Sequence, residues 1–270
     1  MTDQSGKADS PLFGTKQYGE PSVFRPAALL REARRQKELP DHSVPEVCVL
    51  DPDGDLVQHL VSTGRAERDE SWPGYHTDLY RFDLSGTEVG IVGHAVGAPF
   101  AVLVAEQLFV AGCQFLVSIT SSGQIVPKEN PPYFVLIERA LRDEGTSHHY
   151  RSPAEYATLD ATLRDRVVAA CASAARPVYT GAAWTTDAPF RETETAIERA
   201  REEGIIAVEM EAAALYTFAA ERDCAVVCFA HVTNEMGRGE SEFEKGDADG
   251  SEAALTVIDA TVTAREPTDG

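Results

Sequence analysis

The strongest constraint on the fold is a rhythm in the chain. Short apolar runs (VPEVCVL, TEVGIVG, CQFLVSIT and CAVVCFAHV) are each followed at once by small, polar or acidic residues. Runs of that length and make-up predict buried strands, and the clusters after them predict loops. Stretches with helical spacing lie between them: residues 25–40, 99–111, 131–145, 153–175, 192–204, 208–223 and 251–266. Pro40 closes the first, and the second has Pro99 in its first turn and Gly112 just past its end. Residues 75–84 and 87–97, joined by Ser85-Gly86, predict a hairpin, and residues 176–187 a further strand and loop. Strands alternating with helices throughout define an α/β fold on a parallel or mixed sheet.

The 270 residues are 43% hydrophobic, enough for one large α/β domain. No apolar run approaches the roughly 18 residues of a membrane helix. The opening MTDQSGKADSP lacks an apolar signal core, so a soluble, cytoplasmic protein is expected. Lys and Arg number 24 against 44 Asp and Glu, a formal charge of −20. Such a field repels nucleic-acid backbones and anionic membranes, and neither is an expected partner. The five cysteines are odd in number and lack metal-ligand companions, so they read as buried thiols, with no metal and no organic cofactor implied.

In α/β folds ligands bind beyond the carboxyl ends of the strands. That directs attention to residues 51–55, 93–99, 118–123, 184–187 and 233–237. GHAVGAP, with Gly97, opens a helix and offers backbone N–H groups to an anion, although a plain turn has the same composition. It is not a dinucleotide fingerprint, because its third glycine and the acidic residue downstream are missing. AVEMEAAAL is more specific. Glu209 and Glu211 flank Met210 at the expected start of a helix, where carboxylates act as caps. A carboxylate also accepts two hydrogen bonds from a vicinal diol, and a methionine packs on an apolar sugar face.

In this order and approximate spacing, GHAVGAP, FLVSITSSGQI, TGAAWTTDAPF, VEMEAAAL and AHVTNEMG resemble the nucleoside phosphorylase and nucleosidase superfamily, nearest its uridine phosphorylase-like members. The resemblance covers about residues 45–262. It implies a three-layer phosphorylase/hydrolase-like α/β fold with a twisted mixed central sheet. Residues 1–25 would form a flexible arm and residues 26–270 a single domain. It also implies cleavage of the bond between ribose and base in a homo-oligomer. Glu211 would bind the ribose hydroxyls, Met210 would pack on the sugar, and Glu209 would support the loop. Phe190 and Arg191 would sit near the base, and Ser121 and Ser122 near phosphate and sugar. His76 would reach the sugar of a neighbouring subunit. Asp187 and Asn234 are the candidate catalytic positions near the leaving base, although an amide cannot act as a general acid.

The sequence departs from the family where phosphate binds. The two phosphate arginines of the resemblance fall on Leu56 and Ser118; a third, from a neighbouring subunit, would fall near Tyr75 or His76, with Arg81 close by. Losing two charge-assisted contacts of about 1.5–3 kcal/mol each weakens phosphate binding by orders of magnitude. Three readings stay open. Phosphorolysis of a nucleoside, with phosphate as co-substrate, stands first on resemblance. Hydrolysis by water stands close behind on the missing arginines, and a catalytically silent nucleoside-binding protein is third.

Overall fold

The apolar rhythm resolves into one mixed sheet flanked by helices. The computed structural model describes residues 11–14, 16–172, 177–235 and 245–265. The first half runs α1 (Pro26–Lys37), β1 (Val47–Asp51), α2 (Asp55–Ser62), β2 (Ala66–Arg68), β3 (Tyr80–Leu84), β4 (Thr87–Gly93), α3 (Ala98–Val110) and β5 (Phe115–Gln124). It continues through β6 (Tyr133–Asp143), α4 (Ser147–Tyr150), β7 (Tyr156–Thr158), α5 (Ala161–Cys171) and β8 (Val178–Thr186). The chain closes with α6 (Glu194–Glu202), β9 (Ile205–Glu209), α7 (Ala212–Arg222), β10 (Ala225–Glu235) and α8 (Ser251–Val262).

The pairing explains how one sheet makes a crevice. Strands β5, β10, β6, β8 and β9 pair in sequence and β9 returns to β5, a closed ring of five. The sheet extends from β5 through β1, β4 and β3 to β2. Strands β1, β4, β5 and β10 run parallel, so the loops that follow them gather at one edge. The core is built from these strands, with Val47, Val49, Ile91, Leu116, Val117, Val227 and Phe229 buried. One set of helices packs as α1, α3, α4 and α7, and another as α2, α5 and α8. Among the described residues no helix is long and apolar enough to cross a membrane.

The predicted helix over 131–145 is instead β6. Its first half, Tyr133 to Ile137, is aromatic and branched and is buried on both faces between β8 and β10. The charged Glu138, Arg139 and Arg142 imitate a helical polar face, but closure of the ring overrides local spacing. The predicted helix over 153–175 divides into β7 and α5. Asp160 marks the break, its side chain accepting the Leu163 N–H at 2.8 Å. The helix predicted from 208 begins only at Ala212, because Val208 and Glu209 end β9, and its first eight residues are all buried. Helix α2 and the short β2 arise where a loop was expected.

His149 is exposed, but His148 is buried in α4 with its ring 5.0 Å from Phe13. Lys16 also donates to the His148 carbonyl at 2.9 Å, so the described part of the N-terminal arm lies against the body. Four of the five cysteines are buried, Cys224 is half-buried, and all five are free thiols. Residues 1–10 and 15 of the arm, and 236–244 of the acidic loop, lie outside the described residues.

Candidate active site

Register brings the polar strand ends together. Ser121 on β5 lies beside His231 on β10, and Ser122 beside Val232. On the other side of β5, Gly123 pairs with Val208, which delivers Glu209, Met210 and Glu211 to the same edge. Asp51 ends β1 opposite Gly93 of β4, and the next turn carries Asp53, Gly54 and Asp55. Gly54 has a φ of +85°, and a Cβ there would lie 2.0 Å from the His94 ring. Only glycine lets this turn pass beneath His94.

The two glutamates are neighbours with different duties. Glu209 is saturated by protein: the Thr185 hydroxyl donates to Oε1, and the backbone N–H groups of Glu211 and Ala212 donate to Oε2, both at 2.7 Å. Thr185 in turn accepts the Ala213 N–H at 3.0 Å. Glu211 keeps one oxygen available. Its Oε1 accepts the Gly97 N–H at 2.6 Å, and its buried Oε2 has no hydrogen-bond partner among the described residues. The Gly97 N–H of the GHAVGAP turn is therefore spent on the Glu211 carboxyl. Burial, then the charge of Glu209, pushes the Glu211 carboxyl up to about 8, against the pull of the Gly97 N–H. Burial also raises Glu209, opposed by its three donors.

A second group of acids lines a small cleft beside Ser121. The cleft measures about 30 Å³ and is bounded by Asp51, Asp53, Asp55, Thr120, His231 and Ser251, among others. Asp53 Oδ2 accepts the Ser121 N–H at 2.6 Å. Asp51 Oδ2 accepts the Val57 N–H at 2.9 Å, yet burial lifts this carboxyl to about 6. His231 stacks on Phe134 at 4.5 Å between centroids, and burial drops it to about 4, so it is neutral at physiological pH. Lys245 is paired with Asp55. No arginine is among the described residues that line the cleft.

The structure gathers Gly97, Ser121, Ser122, Glu209, Met210 and Glu211 from the sequence candidates. Met210 is half-buried, and its Cε would touch a Cβ built at Gly97, at 4.0 Å. The Ser122 hydroxyl donates to the Thr120 carbonyl at 3.2 Å. Asn234 lies on β10 beside Gly123, half-buried, in reach of the same edge. Asp187 has a structural duty: it is exposed, and its Oδ2 accepts the Gly145 N–H at 2.8 Å. Phe190 and Arg191 sit on an exposed 3-10 turn, Phe190 at 99% exposure. His76 is exposed in the loop between β2 and β3, its ring 6.4 Å from Tyr75.

Leu56 and Ser118, where the resemblance put phosphate arginines, are both buried. Arg81 does not replace them. It bonds Asp69 at 2.7 Å, Glu88 at 3.0 Å and the Ser43 carbonyl at 2.6 Å, on the outer part of the sheet. Trp184 is buried and donates to Asp143 at 2.9 Å, away from the crevice. The sequence reading missed Thr185 as the brace of Glu209, and missed Ser251. A hydroxyl opening an apolar helix reads as a cap, and only the tertiary approach of α8 shows otherwise. A recess of about 800 Å³ lies at the opposite edge, among Glu46, Phe115 and Cys224, and holds none of these groups.

A mixed sheet flanked by helices, with two buried glutamates at its carboxyl edge, defines an α/β protein. The profile of the phosphorylase superfamily matches residues 46–263, and the chain belongs to that superfamily. It is 22% identical over 177 residues to guanosine phosphorylase of Halorubrum lacusprofundi, covering 66% of this chain and 73% of that protein. It is 26% identical over 186 residues to uridine phosphorylase of Thermococcus kodakarensis, covering 62% and 66%. Purine nucleoside phosphorylase of Myxococcus xanthus is 26% identical over 158 residues, covering 58% and 66%. The crystal structure of uridine phosphorylase from Vibrio fischeri superimposes with a TM-score of 0.69 over 84% of this chain and 94% of that one, at 19% identity, which establishes the shared fold.

Proposed function

We propose that this protein cleaves the N-glycosidic bond of a nucleoside, with water as the attacking group. The observation that carries the reading is Glu211, whose one oxygen is fixed by Gly97 while the other is buried and unpartnered among the described residues. A buried acceptor of this kind calls for a donor from a ligand, and a ribose diol supplies two. Met210 lies beside it for the sugar face. As the base departs with the bonding electrons, positive charge develops on the ribose, and the surrounding carboxylates stabilise it where it forms. Asn234 can hydrogen-bond a base carbonyl, and the leaving base takes its proton from solvent.

Water is favoured over phosphate by the lining of the cleft next to Ser121. Four aspartates stand there (Asp51, Asp53, Asp55 and Asp249), the nearby Lys245 is paired with Asp55, and no arginine lines it among the described residues. A phosphate dianion would meet repulsion where phosphate sites use arginine forks. Phosphorolysis remains the second reading, favoured by the relatives above, which are named for that activity. The deciding experiment measures base release from purine and pyrimidine nucleosides with and without phosphate, and identifies the sugar product. Free ribose at a rate independent of phosphate is expected. Ribose 1-phosphate would replace water with phosphate, and binding without release would leave a nucleoside-binding protein. We further propose a homo-oligomer in which the exposed His76 meets a neighbouring copy's sugar site. A purely monomeric, active species in solution would remove that role.

A further inference from the structure

The cleft beside Ser121 is lined by two residues that each carry a buried polar atom without a partner among the described residues. His231 is 6% exposed and Ser251 2%, both line the cleft, and neither His231 Nε2 nor Ser251 Oγ has a hydrogen-bond partner among the described residues. They come from different elements: His231 from β10, and Ser251 from the first turn of α8. Gly250 makes their meeting sterically possible. It has a φ of +79°, and a Cβ there would stand 2.2 Å from His231 Cε1. Stranding two such atoms costs stability unless something bonds to them.

The size and chemistry of the cleft select the occupant. At about 30 Å³ the cleft has room for an ordered water, and a water needs two to four polar partners. The neutral His231 ring, the Ser251 hydroxyl and the Asp53 carboxylate provide them. A phosphate brings negative charge toward four aspartates, Asp51, Asp53, Asp55 and Asp249. A ligated cation is disfavoured as well, because no three His, Cys, Asp or Glu among the described residues converge well enough to hold one.

We propose that His231 and Ser251 hold the attacking water, with Asp53 as the acceptor of its proton. The inference rests on the hydrolytic reading above. In the step, the C1′–N bond breaks with its electron pair going to the base, and a C1′–O bond forms from the water. The water's proton passes to Asp53 and on to solvent, and the base anion takes a proton from solvent. Nothing is oxidised or reduced. Ser251 acts by fixing the water, so its loss should slow the chemical step and leave nucleoside binding alone.

The test compares the wild type with Ser251→Ala and Ser251→Thr, following base release in buffer and in buffer with methanol, which competes with water for the sugar. Thermal melts verify that each variant is folded. The expected result for Ser251→Ala is a fall in kcat of about tenfold or more, as for one lost hydrogen bond to a reacting group, with KM within about twofold. Methyl riboside should rise relative to ribose, because the emptied volume admits the larger nucleophile. Ser251→Thr, which keeps the hydroxyl, should recover part of kcat. Wild-type kcat and product ratio in Ser251→Ala would overturn the inference while leaving hydrolysis intact. A phosphate requirement in the wild type would instead overturn the hydrolytic reading, and the water's role with it. A high-resolution crystal structure gives an independent check: an ordered water bonded to Ser251 Oγ and His231 Nε2 supports the assignment, and a side chain filling the cleft refutes it.

Discussion

The Gly97 N–H donates to Glu211 Oε1 at 2.6 Å across 114 residues of sequence, tying the first turn of α3 to the start of α7. This bond fixes the orientation of the carboxylate so that Oε2 alone is left for a ligand. Replacing Glu211 with Gln keeps a carbonyl oxygen for Gly97 but removes the charge and one acceptor. Above pH 8, where the Glu211 carboxyl is ionised, two charge-assisted bonds to a diol are worth about 1.5–3 kcal/mol each, so nucleoside affinity there should fall by about a hundredfold or more. Calorimetric titration checks this, and unchanged affinity would refute the ribose assignment. A near-native melting temperature is expected, because relieving a buried charge offsets the lost bond.

Glu209 should behave in the opposite way. Its oxygens are occupied by Thr185, Glu211 and Ala212, so it holds the loop rather than the ligand. Thr185→Val strands Glu209 Oε1 and the Ala213 N–H together. The expected cost is about 2–4 kcal/mol of stability, read as a lowered urea midpoint. Sugar binding in the surviving folded fraction should weaken less than in Glu211→Gln.

This division of labour was only half legible in the sequence. VEMEAAAL announced a carboxylate pair beside a methionine, but which glutamate remained available depended on Thr185, 24 residues upstream, and on Gly97. Likewise the small polar residues after each apolar run marked the crevice, because parallel strands place their loops at one edge whatever the details. Strand β6 was lost to its helical spacing: Tyr133 to Ile137 are a strand only because β8 and β10 enclose them. Ser251 was invisible because its partner surface, the β10 end at His231, becomes adjacent only when α8 folds back over the edge.

Asp51 makes a prediction about pH. An unfolded Asp titrates near 4, whereas burial holds the folded carboxyl near 6. Between those values the native state binds the extra proton, so stability falls as pH rises through this window and the loss is complete above about 6. Asp51→Asn removes the penalty while its side-chain carbonyl can still accept the Val57 N–H. At pH 7 to 8 the variant should be more stable, by up to about 3 kcal/mol, with the advantage shrinking as pH drops and gone below about 4. Denaturant melts across this range measure it. A constant difference at all pH values would show that Asp51 titrates normally.

Phe190 is a large aromatic left fully bare, at 99% exposure on the Pro189–Arg191 turn. An aromatic face kept out of the core contributes nothing to stability, so Phe190→Ala should shift the melting midpoint by less than about 0.5 kcal/mol. If the turn closes on the base, the ring becomes a stacking platform, an interaction worth about 1–3 kcal/mol by alanine substitution. The expected result is then a rise in nucleoside KM of about tenfold, with little change in kcat for saturating substrate. Steady-state kinetics separates the two constants. An unchanged KM would place the base elsewhere along the crevice, toward Asn234, and would leave the exposed ring to an interface with another copy of the chain.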